Sequence, residues 1–206
     1  MNPKKLVTAG LLLCFGCVMP VFAANTVSVD MDLLTPGIQS TRVAAPGDVF
    51  GVGLVLSVDA NGVTSYGISA LFDTSELMLV VPPPAAAVPA LPGGLSPLAA
   101  PVENNALGQV YSFTGATLSP MGPASTSFTI GTINFKVLTP KSDGLADISL
   151  GFFNGGVDGL FDNNGNSASL TFNPGFVEVP EPSTWALALG GSATMLLLVR
   201  RRRSNW

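Results

Sequence analysis

Between residues 26 and 179, apolar side chains recur at every second position in short runs cut by turn residues. No run has the three-to-four spacing of a long amphipathic helix, and that restricts the chain to half-buried strands. Val27, Val29, Met31 and Leu33 alternate with Ser28, Asp30 and Asp32, which predicts a strand over 26–33. Ala45-Pro46-Gly47-Asp48 and Asp59-Ala60-Asn61-Gly62 punctuate a second, valine-rich run over 49–58, the Asn-Gly pair suiting a tight hairpin turn. Tyr66, Ile68, Ala70 and Phe72 share one face of a third, over 65–72. Asp73-Thr74-Ser75-Glu76 then opens like a helix cap or a single turn before 77–81. Further strands are predicted over 109–114, 126–138 with Gly131 as a bulge, 144–153, 167–172 and 175–179. Eight or nine strands of this kind build an all-β, antiparallel sandwich of jelly-roll type.

One stretch breaks the pattern. Pro82 to Pro101 is rich in proline and otherwise mainly Ala, Leu, Gly and Val. Proline fixes φ and removes a donor, so this segment is expected to be an extended insertion loop without a regular ladder. A ligand for a proline-recognising partner is the competing reading, and the missing basic flank speaks against it.

The two ends have a different character. Lys4 and Lys5 precede an apolar run from Leu6 to Val21, and small residues follow at Ala23 and Ala24. That order predicts a secretory signal peptide, residues 1–23, delivered to the Sec translocon. Cys14 and Cys17, the only cysteines, fall inside it, and Cys17 lacks the leucine-small-small context of a lipidated cysteine. At the other end stands Val179-Pro180-Glu181-Pro182-Ser183-Thr184, then an uncharged run from Trp185 to Val199, then Arg200, Arg201, Arg202 and Arg203. As a helix the run reaches ~22 Å, short of a ~30 Å hydrocarbon core. Trp185 at one interface and snorkelling arginines at the other make up part of the difference, and the arginines are expected on the cytoplasmic side.

Residues 179–206 taken together resemble a PEP-CTERM sorting signal, with sorting motif 179–184, membrane span 185–199 and basic tail 200–203. The alternatives are an ordinary tail anchor and a buried terminal helix. The resemblance implies an exosortase, a membrane protease-transpeptidase, as processing partner. It further implies inner-membrane residence through the tail before processing, then the cell surface or extracellular space.

Between the two apolar runs only Arg42, Lys136 and Lys141 oppose thirteen acidic residues, a formal charge of −10. Nucleic acid and anionic membrane are therefore not expected partners. Within that region, residues 24–179 have neither cysteine nor histidine. That removes disulfides, the usual zinc sites and Cys- or His-based nucleophile systems.

Four segments of this region resemble a cohesin-like domain, a jelly-roll sandwich related in fold to some carbohydrate-binding modules. They are Pro46–Val49 leading into 52–58; Tyr66–Leu77; Gly131–Val137 followed by 144–150; and Asp162–Asn166 followed by Gly175–Val179. Taken with the tail, the expectation is an exported, non-enzymatic surface or matrix protein associating with exopolysaccharide or another surface protein. The alternatives are a carbohydrate-binding module and, behind it, a glycoside hydrolase.

Candidate sites within the domain are few. Asp158, Asp162 and Asn164 gather oxygen ligands suited to Ca²⁺, but lack the alternating acidic spacing of an EF-hand loop. A plain turn is the preferred reading there, and no cofactor is otherwise expected. Asp30, Asp32, Asp73, Glu76 and Glu103 are the carboxylates available for a hydrolytic pair, which would need a set separation. Phe152 and Phe153, adjacent in a predicted strand, should point to opposite faces, leaving one outward ring.

Overall fold

The computed structural model describes residues 24–80, 84–119, 121–155 and 158–179. The predicted signal peptide and everything from Pro180 onward, including the span and the basic tail, lie outside them. Among the described residues no helix is long and apolar enough to cross a membrane.

The strands in chain order are β1 (Thr26–Asp30), β2 (Thr41–Val43), β3 (Val49–Val58), β4 (Ser65–Phe72), β5 (Leu77–Leu79), β6 (Ala86–Ala87), β7 (Ser96–Pro97), β8 (Val102–Asn104), β9 (Gln109–Ala116), β10 (Thr126–Val137), β11 (Ile148–Gly151), β12 (Gly159–Phe161), β13 (Thr171–Asn173) and β14 (Phe176–Glu178). One sheet runs β13-β1-β3-β10-β5, with β6 also on β10. The second runs β11-β4-β9-β7, with β12 on β4 and β8 on β9. β2 and β14 form a separate ribbon.

Alternation explains the core. Val27 and Val29 of β1, Val52, Leu54 and Leu56 of β3, and Ile133 and Phe135 of β10 are wholly buried; so are Ile68, Val110 and Phe113 from the second sheet. Along β10 the buried set changes phase, from Ile130 to Ile133, Phe135 and Val137. A strand can do this only by inserting a residue, and the register against β3 slips between Thr129 and Gly131. The inserted residue is Ile130, one position before the predicted bulge. Gly131 has another role: a Cβ there would overlap the Phe113 ring, 3.1 Å from Cγ, so the glycine lets the two sheets close. A second slip lies in β9 opposite Ile68–Ala70, where Ser112 adopts φ 64°.

Several predicted elements are corrected. The first strand stops at Asp30, whose Oδ1 accepts the amides of Asp32 and Gln39 and turns the chain. Leu33 consequently leaves the core and lies over Gly51 and Gly53 on the outer face of β3. The proline-rich segment is not free of ladders: β6 pairs with β10 and β7 with β9, so it bridges the two sheets along one flank. Pro97 sits on an edge strand, where its missing N–H costs no ladder bond. The architecture is also not purely antiparallel. β13 joins β1 in parallel after a crossover from β12 of the opposite sheet, and β14, two residues on, joins β2 in parallel, so neither pair is closed by a hairpin.

β1 starts beside Ser57 and ends beside Gly53, while β10 ends beside Val49. The chain thus enters at the Val58 end of the sandwich. It leaves at the opposite end, where Val179 N–H donates to Ser142 Oγ.

Candidate functional site

The exit segment Gly175–Val179 begins at a backbone bridge, Gly175 exchanging hydrogen bonds with Ile148 at the start of β11. Beyond it, among the described residues β14 pairs with β2 alone, Phe176 N–H donates to Ser40 O, and Glu178 O accepts from Ala44 N–H. On its other edge the Val177 amide donates to Asp147 Oδ2. Asp147 is 3% exposed and lines a cavity of about 200 Å³ with Ser142, Leu145 and Val177. Glu76, 1% exposed, lies against it. Its Oε2 accepts the Lys141 amide at 2.7 Å and its Oε1 meets Lys141 Nζ at 3.2 Å. The Glu76 hydrogen bond in turn holds the Lys141 ammonium above its usual pKa. Burial pushes Asp147 up to about 6; the Val177 amide opposes this, and Glu76 and Asp143 add to it.

Sequence reasoning named Glu76 but passed over Asp147. Alternation with buried Ile148 and Leu150 would put Asp147 on an open face, and only the return of β14 from the far end of the chain covers it.

The other predicted carboxylates serve turns. Asp32 accepts from Thr35 Oγ1 and the Leu34 amide, which with Arg42 nearby hold it below the usual range. Asp73 caps the single turn before β5 through the hydroxyl and amide of Ser75, and is lowered likewise. Glu103 Oε1 accepts the Ala86 amide and so fastens the proline-rich segment. Among these, no two stand across an open cleft as an acid and its partner.

The candidate Ca²⁺ residues are not brought together. Asp158 and Asp162 stand at opposite ends of β12, about 13 Å apart at ~3.3 Å per residue. Asp162 Oδ1 accepts the amides of Asn164 and Asn166, each at 2.8 Å, and those bonds lower its pKa. Asn164 points its amide nitrogen at Asp162 Oδ2 at 3.5 Å, donating rather than offering its oxygen. Asp158 Oδ2 accepts from Ser69 Oγ and from the Asn154 amide. No group of three or more acidic, Cys or His side chains among the described residues is arranged to hold a metal.

The aromatic prediction also changes. β11 ends at Gly151, so Phe152 and Phe153 lie past the strand and its alternation no longer applies. Phe152 meets Phe172 edge-on at 5.2 Å, and Phe153 folds back over Gly151 with Cζ 2.5 Å from where a Cβ would stand. Phe161 lies beside Gly159 at ordinary contact, its Cε2 3.5 Å from where a Cβ would stand. Gly151 and Gly159 both flank β4, opposite Ser69 and Gly67, so these two half-exposed rings share one outer face. Of the sorting motif only Val179 is among the described residues, and it is half-exposed at the exit.

The sequence matches no protein-family model and no curated protein. Solved structures do resemble the fold. The sixth cohesin of Acetivibrio cellulolyticus scaffoldin B aligns with a TM-score of 0.50 at 14% identity, covering 77% of this chain and 100% of that one. A type I cohesin, Coh-OlpA of Clostridium thermocellum, gives 0.49 at 14% over 77% and 100%. A non-cellulosomal cohesin of Archaeoglobus fulgidus gives 0.42 at 16% over 81% and 98%. At this identity the likeness is one of architecture: the chain carries a cohesin-like β-sandwich.

Proposed function

We propose that this protein is an exported, non-catalytic association module, sorted to the envelope by a PEP-CTERM tail and presented at the cell surface or in its matrix. The observation that carries the reading is a cohesin-like sandwich ending at Val179, immediately before the Pro-Glu-Pro motif. The scaffoldin B cohesin that aligns over its whole length was solved in complex with a dockerin, a protein partner. The use of most carboxylates to cap turns supports a binding role over a hydrolytic one. An exosortase-type protease is the proposed processing partner, and the Sec translocon the proposed export route.

The test is to recover the native protein from cell envelopes after chemical crosslinking and measure intact mass. A chain ending between Pro180 and Thr184, joined to a second protein, is the expected result. Retention of Arg200–Arg203 overturns the processing, and absence of any protein adduct overturns the association.

A second reading rests on Phe153 and Phe161, half-exposed on one outer face. Flat rings over glycines suit stacking on the apolar face of a sugar, and the ligand would be a neutral stretch of exopolysaccharide. Saturable binding on a glycan array, lost in Phe153→Ala and Phe161→Ala, distinguishes it from protein association.

A further inference from the structure

We propose that the buried Asp147 carboxyl, set against Glu76, is a proton-dependent fastener for the exit strand: protonated, it holds β14 closed; ionised, it lets Phe176–Val179 open. The geometry isolates this strand. β14 has a three-residue partner, β2, which pairs with no other strand among the described residues. Its opposite edge is bridged to Ile148 by backbone at Gly175, and past that point it is tied by two side-chain acceptors, Asp147 Oδ2 to the Val177 amide and Ser142 Oγ to the Val179 amide. The cavity beside Asp147 gives water a place to enter once the strand lifts.

Charges around Asp147 favour a proton on it. Glu76 faces Asp147 from the turn before β5, and Asp143 from the loop after β10. Glu178 lines the same cavity from β14, and Asp73 sits close by, its amide donating to Asp147 O. Among the described residues Lys141 is the one cation on this pair, and its ammonium lies on the Glu76 side. Arg42, opposite Val177 in the β2 register, is directed instead at Met31 O, Asp32 and the Phe50 ring.

The direction of the switch follows from linkage. With the strand closed, burial first and then the neighbouring carboxyls hold Asp147 near 6; with it lifted, water returns Asp147 toward 3.8. Closure is therefore fully favoured below 3.8, weakens across the window between 3.8 and 6, and gains nothing further above it. Complete relief of the shift corresponds to about 100-fold in the opening equilibrium. Opening restores water only in part, so about tenfold is expected. The fastening does not depend on what recognises the tail.

Hydrogen exchange on the full-length chain in mild detergent tests this. The peptide covering 175–179, corrected for intrinsic exchange, should be about tenfold less protected at pH 7.5 than at pH 4.5. Peptides from β3 should be unchanged. Asp147→Asn should remove the pH dependence. Equal protection at both pH values, or a wild-type dependence in Asp147→Asn, overturns the proposal. Should the variant fail to fold, the Val177 amide resonance of the wild type decides: a titration midpoint near 6 supports the fastener, and one below 4.5 sinks it.

Discussion

Replacing Gly131 with alanine probes the closest approach of the two sheets. The added methyl would overlap Cδ1 and Cε1 of Phe113 and lie 3.1 Å from its Cγ. Phe113 is 0% exposed, so its ring cannot swing into solvent. Backbone shift or an off-rotamer ring must absorb the overlap, at about 2 kcal/mol by analogy with overpacked cores. For a domain of this size that lowers Tm by roughly 4–8 °C. Urea and thermal unfolding of residues 24–179 would measure it, and a double-mutant cycle would assign it. Phe113→Leu alone should cost about 1 kcal/mol, yet in the Gly131→Ala background it should cost less or even stabilise, giving a coupling of ~1 kcal/mol or more. Strict additivity, or a Gly131→Ala protein as stable as the parent, would refute the claim that the glycine exists to admit the ring.

Other expectations follow from buried or strongly placed polar groups. Tyr66 is 3% exposed with its hydroxyl unpartnered, and burial pushes its phenol pKa up; Tyr66→Phe should therefore stabilise the domain by about 1 kcal/mol in denaturant titrations. Stability should be greater near pH 5 than at pH 7.5. Asp147, raised to about 6, contributes fully below 3.8 and loses its contribution as pH rises through 6. Asp32, Asp73 and Asp162, all lowered, contribute above 3.8 and fail only as pH falls through their folded values. A melting profile that rises steadily from pH 5 to 7.5 contradicts this, and Asp147→Asn should flatten the difference. Millimolar Ca²⁺ should leave Tm unchanged, because Asp158 and Asp162 are separated by β12; a rise of several degrees would show a site built in another way.

The long strands were legible because two-residue periodicity is strong where one face is buried: β3 and β4 fall where the alternation puts them. Even the β10 bulge is written in the phase change from Ile130 to Ile133, although Gly131 drew attention as the more familiar bulge residue. What the sequence did not disclose depends on distant chain. β2 and β8 are three-residue edge pieces whose partners, not their own composition, make them strands. β12 hid inside a polar segment that reads as a ligand loop, yet Leu160 is 1% exposed and pairs with Tyr66. Parallel pairing of β13 and β14 has no local signature, since no turn links the partners. The same reason concealed Asp147: its burial is conferred by β14, some thirty positions later.

Entry and exit at opposite ends of the sandwich have a mechanical meaning. A chain tethered at its C-terminus and pulled through its N-terminal strand is loaded along the strand axes. β1 is braced on both sides, antiparallel by β3 and parallel by β13, so its ladders lie across the load and resist together as a shear clamp. Beyond the Gly175–Ile148 bridge, the tether end is held, among the described residues, by the short β2–β14 ribbon and two side-chain ties. Tension should peel that ribbon first, paying out a few residues while the clamp and the core stay intact.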